Sequence, residues 1–170
     1  MPEAKKFWQS NDKEANLLFD SIIAGKGPDV LINLGANPVY TSSKGDKLRK
    51  GLEGLKMYVS TSRYADESTS VSTYIVPDHH QLEGWNDFMP KANHYAVAQP
   101  TIRPLGDTYA ALESVLVWAG AATRKGKDST VAYDAIKVEA TKLLQEAKKL
   151  DKQQMLSDQI KMMQQQLKKI

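Results

Sequence analysis

Asp29-Val30-Leu31-Ile32-Asn33-Leu34-Gly35-Ala36-Asn37-Pro38 is the stretch whose reading decides the fold. Val30 to Leu34 is a short, nearly continuous apolar run that ends at a glycine. That pattern predicts a strand buried on both faces, as in a parallel sheet. Gly35 to Pro38 then reads as a turn. Glycine permits unusual φ, asparagine tolerates the left-handed region, and proline fixes the exit.

Upstream, Asn11 is positioned as an N-cap with Glu14 three residues on. Ala15, Leu18, Phe19, Ile22 and Ile23 recur at helical spacing. Gly25 and Gly27 stop that helix, and Pro28 prevents re-entry. Downstream, a second helix is expected from Gly45 to Glu53, with Leu48, Leu52 and Leu55 inward and Gly54 as cap. Lys56–Ser60 reads as a second strand and Ser72–Val76 as a third, with a short helix between them.

The order strand, helix, strand, short helix, strand implies right-handed parallel crossovers. The expected fold class is therefore α/β, a small parallel sheet with flanking helices. Gln81 to Gly106 lacks clear periodicity and is too long for a plain connector. It is expected to be an ordered loop that packs by its own Trp85, Phe88, Tyr95 and Ile102, with Trp118 helping to hold it on the sheet. A helix follows from Asp107 to Ala119, capped by Asp107 or Thr108 and stopped by Gly120. Gly120 to Asp128 reads as a basic, flexible link. Ser129 to Ile170 is expected to form one or two helices. The domain reading is 1–120 for the α/β part, 121–128 for a linker and 129–170 for a C-terminal helical extension.

Composition limits the chemistry. The 170 residues carry 23 basic and 20 acidic side chains, a net charge of +3. That balance argues against a nucleic-acid partner on electrostatics. There is no cysteine. This removes disulfides, thiolate zinc sites, a cysteine nucleophile and cysteine-bound iron–sulfur clusters from the chain. No apolar run approaches the ~20 residues that cross a bilayer, so direct membrane insertion is not expected. The first residues lack an apolar signal core.

In parallel sheets, ligands sit beyond the carboxyl ends of strands. Those ends carry Gly35–Pro38, Ser60–Arg63 and Pro77–His80. The glycine turn could hold a phosphate through exposed backbone N–H groups, or serve only as a strand-to-helix turn. Ser60, Ser62, Asp66 and Glu67 could contact ribose or amino groups of a nucleotide, and Asp66 and Glu67 could equally complement a helix dipole. Asp78, His79, His80, Glu83 and His94 are the densest set of possible metal ligands. They lack H-x-x-x-H spacing, and no metal is expected. No nucleophile elbow of the G-x-S-x-G type occurs, so no catalytic residue is assigned.

Several adjoining motifs carry a resemblance. Leu34-Gly35-Ala36-Asn37-Pro38 looks like the G-x-N-P turn of the molybdopterin oxidoreductases. Val59-Ser60-Thr61-Ser62 with Asp66-Glu67-Ser68 is similar to that family's next strand end, and Tyr74-Ile75-Val76-Pro77-Asp78 with Leu82-Glu83 to the one after. Pro77 to Asp87, Gln99 to Leu105 and Asp107-Thr108 resemble, more narrowly, the large molybdopterin-oxidoreductase-like subunit of bacterial alternative complex III. The resemblance covers roughly residues 17–120 and not the Gln/Met-rich tail.

What this resemblance implies is a non-catalytic scaffold domain in a membrane-bound quinol oxidoreductase. Its partners would be other domains or subunits of that respiratory complex, peripheral to a bacterial membrane on the periplasmic face. The counterpart region in that subunit is understood to lack the molybdenum cofactor, so no cofactor is expected here. If the wider superfamily sets the function instead, Gly35, Asn37, Pro38, Ser60, Asp66 and Asp78 would line a molybdopterin guanine dinucleotide. His79, His80, Glu83, Trp85, Asn86 and Gln99 would face neighbouring domains. A third reading, from pattern alone, has Met155, Met162, Met163 and Leu167 dock on a partner helix.

Overall fold

The computed structural model describes residues 11–91, 94–126 and 129–167. The chain divides into two units, Met1–Ala132 and Tyr133–Ile170. The first is mixed α/β with a small parallel sheet, and the second is a single long helix.

Helix α1 spans Asp12–Ile23, and the Asn11 side chain accepts its Glu14 N–H at 3.2 Å. The expected cap is thus in place. Strand β1 (Val30–Asn33) leads through the Gly35 turn into one helical turn, α2 (Pro38–Thr41). The sequence reading did not separate α2 from the turn. Asn37 caps it and Pro38 opens it, where a missing N–H costs nothing. Helix α3 covers Gly45–Glu53, as expected, with Leu48 and Leu52 buried.

Strand β2 (Met57–Ser60) pairs parallel with β1, Val30 opposite Met57 and Asn33 opposite Ser60. The expected short helix before the third strand is a single 3₁₀ turn, Thr69–Val71. Strand β3 is only Tyr74–Ile75, paired parallel with β2. The sheet order is β1-β2-β3.

That order has a consequence for the faces. Crossovers between parallel strands are right-handed. Two successive ones that advance in the same direction place both connections on one side. Ile22 of α1, Leu48 and Leu52 of α3, Val39 and Tyr58 form the core there, with Leu31 packed against it. Burying Ile22, Leu48 and Leu52 contributes about 2 kcal/mol each.

The expectation that β1 is buried on both faces is therefore corrected. Val30 and Ile32 are each 45 % exposed, and Leu34 just beyond them is 56 % exposed. These three share the side away from the core.

Gln81 to Gly106 also differs from expectation. It contains an antiparallel ribbon, β4 (Asn86–Lys91) and β5 (His94–Ala98), with Asn86 opposite Ala98 and Phe88 opposite Ala96. Pro90 and the Asn86-Asp87 pair break the alternation that would have signalled strands. Phe88, Ile102 and Trp118 are exposed instead of packing the segment.

Helix α4 is Ala111–Trp118, beginning later than Asp107. Neither expected residue caps it. Asp78 does so from 33 positions upstream, accepting the Ala111 N–H at 2.7 Å. Thr108 instead bonds His79 Nδ1 at 2.7 Å.

The link after α4 is not simply flexible. Arg124 Nε reaches Glu113 Oε1 at 2.6 Å, and its guanidinium lies 3.8 Å from the centre of the Tyr109 ring. Lys127 and Asp128 lie outside the described residues. The C-terminal extension is one helix, α5 (Val131–Leu167).

Candidate functional site

The carboxyl ends of β1 and β2 meet at one polar cluster. β1 delivers Asn33 and the Gly35 turn, β2 delivers Ser60, and the segment after β2 delivers Ser62, Asp66, Ser68 and Thr69. Gly35 sits at φ +66°, a left-handed conformation that a side chain would strain.

The hydrogen bonds form two adjoining groups, one around Asn37 and Ser68 and one around Ser60 and Asp66. The Asn37 amide donates to Glu67 Oε2 at 2.7 Å, and its Oδ1 accepts from the Ser68 hydroxyl at 2.7 Å. Ser68 Oγ in turn accepts the Val39 N–H at 3.0 Å. The Ser60 and Thr69 hydroxyls lie 3.3 Å apart, and Ser60 Oγ also accepts the Ser62 N–H. The Ser62 hydroxyl donates to Asp66 Oδ2 at 2.8 Å, and Thr69 N–H donates to Asp66 Oδ1 at 2.7 Å. Below the cluster, Asn33 Nδ2 donates to the buried Tyr58 hydroxyl at 3.0 Å and to the Ala36 carbonyl at 2.6 Å. Asn33 thereby ties the turn to the sheet.

These contacts set the charges. Burial pushes the Asp66 carboxyl up, but the Thr69 and Ser62 donors outweigh it and hold it below its ordinary value. The Asn37 amide holds Glu67 down in the same way. Burial raises the Tyr58 phenol, which stays neutral. Two ionised carboxylates at a strand end favour donors and repel anions. They do not suit the phosphates of a dinucleotide.

Of the residues assigned from the sequence, Asn37, Ser60 and Asp66 join this cluster, flanked by Gly35 and Pro38. Asp78 is set apart by its capping role, although its N–H reaches the Thr61 carbonyl at 3.1 Å. The sequence reading missed Ser68 and Asn33, which bridge the strands. An asparagine at the end of an apolar strand was the available signal for Asn33.

Among the described residues, no buried side-chain nitrogen or oxygen lacks a hydrogen-bond partner. The Asn37 amide and the Ser62 and Ser68 hydroxyls all donate within the protein. The lowered Asp66 and Glu67 carboxylates are the feature of this cluster least suited to an anionic dinucleotide.

The assigned interaction residues form a second feature, a clasp at the base of the ribbon. Glu83 accepts the His80 N–H at 2.8 Å and the Leu105 N–H at 3.1 Å, and these amides hold its carboxyl low. The Leu82 carbonyl accepts from Thr101 N–H at 2.8 Å and Ile102 N–H at 3.1 Å. Leu82 N–H donates to His80 Nδ1 at 3.2 Å. Asn86 bonds the Gly84 carbonyl at 3.0 Å, while Trp85 is half-buried. Gln99 is exposed between β5 and the clasp. No group of three metal-ligating side chains occurs among the described residues.

No protein-family profile matches the chain, and no curated protein matches it.

Proposed function

We propose that this chain is a non-catalytic scaffold domain of a membrane-associated respiratory quinol oxidoreductase of the alternative complex III type. Two things support the reading. The motifs from Pro77 to Thr108 resemble that complex's large subunit, and those from Gly35 to Asp78 resemble the wider molybdopterin oxidoreductases. The single observation that carries the non-catalytic part is the closed network at the strand ends. Asn37, Ser60, Ser62, Asp66 and Ser68 spend their hydrogen bonds on one another and on the backbone. A cofactor-type fold whose polar groups are satisfied internally acts through shape and surface.

In this role the domain holds the clasp and ribbon toward neighbouring domains. No helix among the described residues is long and apolar enough to cross a membrane. Attachment to the membrane would run through partner subunits. Native mass spectrometry with metal analysis of the purified chain tests the proposal. The expected mass is that of the polypeptide alone. Stoichiometric molybdenum with a guanine-dinucleotide pterin would sink it and establish the cofactor-binding alternative.

A second reading treats α5 as a docking helix for another protein. It draws on the exposed Val138, Leu144, Leu150, Met155 and Leu156. The side chains of Met162, Met163 and Leu167 lie outside the described residues. A pull-down against the respiratory complex separates the two, comparing the full chain with one ending at Leu150. Equal recovery removes the docking-helix reading.

A further inference from the structure

We infer that the side of the sheet facing away from α1 and α3 is the seat of one amphipathic α-helix from a neighbouring domain or subunit. The inference rests on the scaffold reading above and specifies which surface that scaffold uses.

The surface is continuous. Ile32 pairs with Val59, and Val59 with Tyr74, so the three lie in one row across the sheet on one side. Val30 and Leu34 extend that row along β1. Val59 is buried at the centre, while Val30, Ile32, Leu34 and Tyr74 around it are exposed. Parallel strands are stable with helices on both sides, and the β1-β2-β3 order supplies crossover cover on one side only.

The dimensions suit a single helix. Val30 to Leu34 spans roughly 13 Å of strand. A helix about 10 Å across covers that length with about nine residues. The nearest charges, Asp29 and Lys56, neutralise each other at 3.0 Å at the start of the stripe. The row itself bears no charge, so the matching helix face is aliphatic and uncharged.

A second copy of the chain fits poorly. Four half-open side chains offer on the order of 300 Å². A stable two-protein interface takes about 800 Å² from each partner. The patch is too small to hold two copies together, and a single short helix is the occupant that matches its size.

The absence of cysteine makes a clean test available. Ile32→Cys, labelled with a polarity-sensitive dye, reports on the seat. It is titrated with two synthetic leucine/lysine peptides of equal composition. One carries leucine at helical spacing, and the other alternates leucine and lysine. The helical peptide is expected to shift the dye emission to the blue with saturation, and the alternating one to leave it unchanged. Adding Leu34→Lys should weaken the helical peptide about tenfold. Leu34 lies beyond the end of β1 and is exposed, so the fold survives that change; the urea midpoint confirms it. Equal response to both peptides overturns the inference, as does no response. Sedimentation showing a dimer with the dye buried overturns it in favour of a second copy. Molybdenum or pterin in the preparation would defeat the scaffold reading without altering the dye result, so the two can fail separately.

Discussion

Single atoms decide several positions in this fold. Gly51 lies within α3, where alanine is the better helix former by about 1 kcal/mol. A Cβ there would stand 2.8 Å from the Ile22 carbonyl oxygen and 2.9 Å from Ile22 Cγ2. The clash should win, so Gly51→Ala is expected to destabilise by about 2 kcal/mol in urea unfolding. Gly54→Ala meets only a 3.4 Å contact and should stay within about 0.5 kcal/mol of the parent. Ser68→Ala strands the buried Val39 N–H and should cost about 2 kcal/mol. Asp66 gives a pH dependence. Its folded-state value is depressed below 3.8, so its contribution is complete above that value and disappears as pH falls through the folded value. Asp66→Asn should flatten the acid limb of a stability–pH curve without removing it, because Glu67 and Glu83 are lowered too. The sequence showed Asp66 as a strand-end carboxylate. It could not show that Ser62 and Thr69 would use both its oxygens, since that depends on how the chain bends after β2.

Elements were legible where their signals were local. The Asn11 cap, the Leu48 and Leu52 stripe and the apolar run at Val30 are all short-range patterns, and each lies where its periodicity placed it. Elements defined from a distance were not. Helix α4 takes its cap from Asp78, and no window around Asp107 contains that residue. The ribbon was hidden because Pro90 and Asn86 interrupt its alternation. The segment after α4 seemed a plain basic link, because only the fold brings Arg124 onto Glu113 and Tyr109. Glu113 has only 6 % of its side chain exposed and Arg124 26 %. Losing the cation leaves a nearly buried carboxylate unpaired. Arg124→Ala should therefore destabilise by about 2–3 kcal/mol, less than for a fully buried pair because Arg124 is partly solvated. Glu113→Gln in the same chain should recover part of the loss. A double-mutant cycle in urea measures both.

At the level of the whole molecule, stability is unevenly spread. Tyr58, Leu48 and Ile22 lie in one core, while α5 from Leu144 to Leu156 is exposed along its length. An isolated helix of that kind is marginal in water. Native-state hydrogen exchange should find the Tyr58 and Val59 amides slowest. The α5 amides beyond Leu144 should exchange far faster, with protection independent of global stability. Uniform protection along α5 would contradict this. The open side of the sheet could not be read from residues 30–34 alone. A buried strand and a half-covered one share the same apolar run, and only the strand order separates them.

That strand order also governs how the chain is made. β1 pairs with β2, and β2 with β3, so each strand joins the one delivered just before it. All three, together with Ile22, Leu48 and Leu52, precede Pro77. All three strands and the core residues that pack on them are therefore translated before the ribbon, α4 and α5. Domains fold as units during synthesis, N-terminal parts first. A nascent chain arrested shortly after Val76 clears the exit tunnel should already resist protease. The sheet would then be formed before the ribbon and α4 emerge.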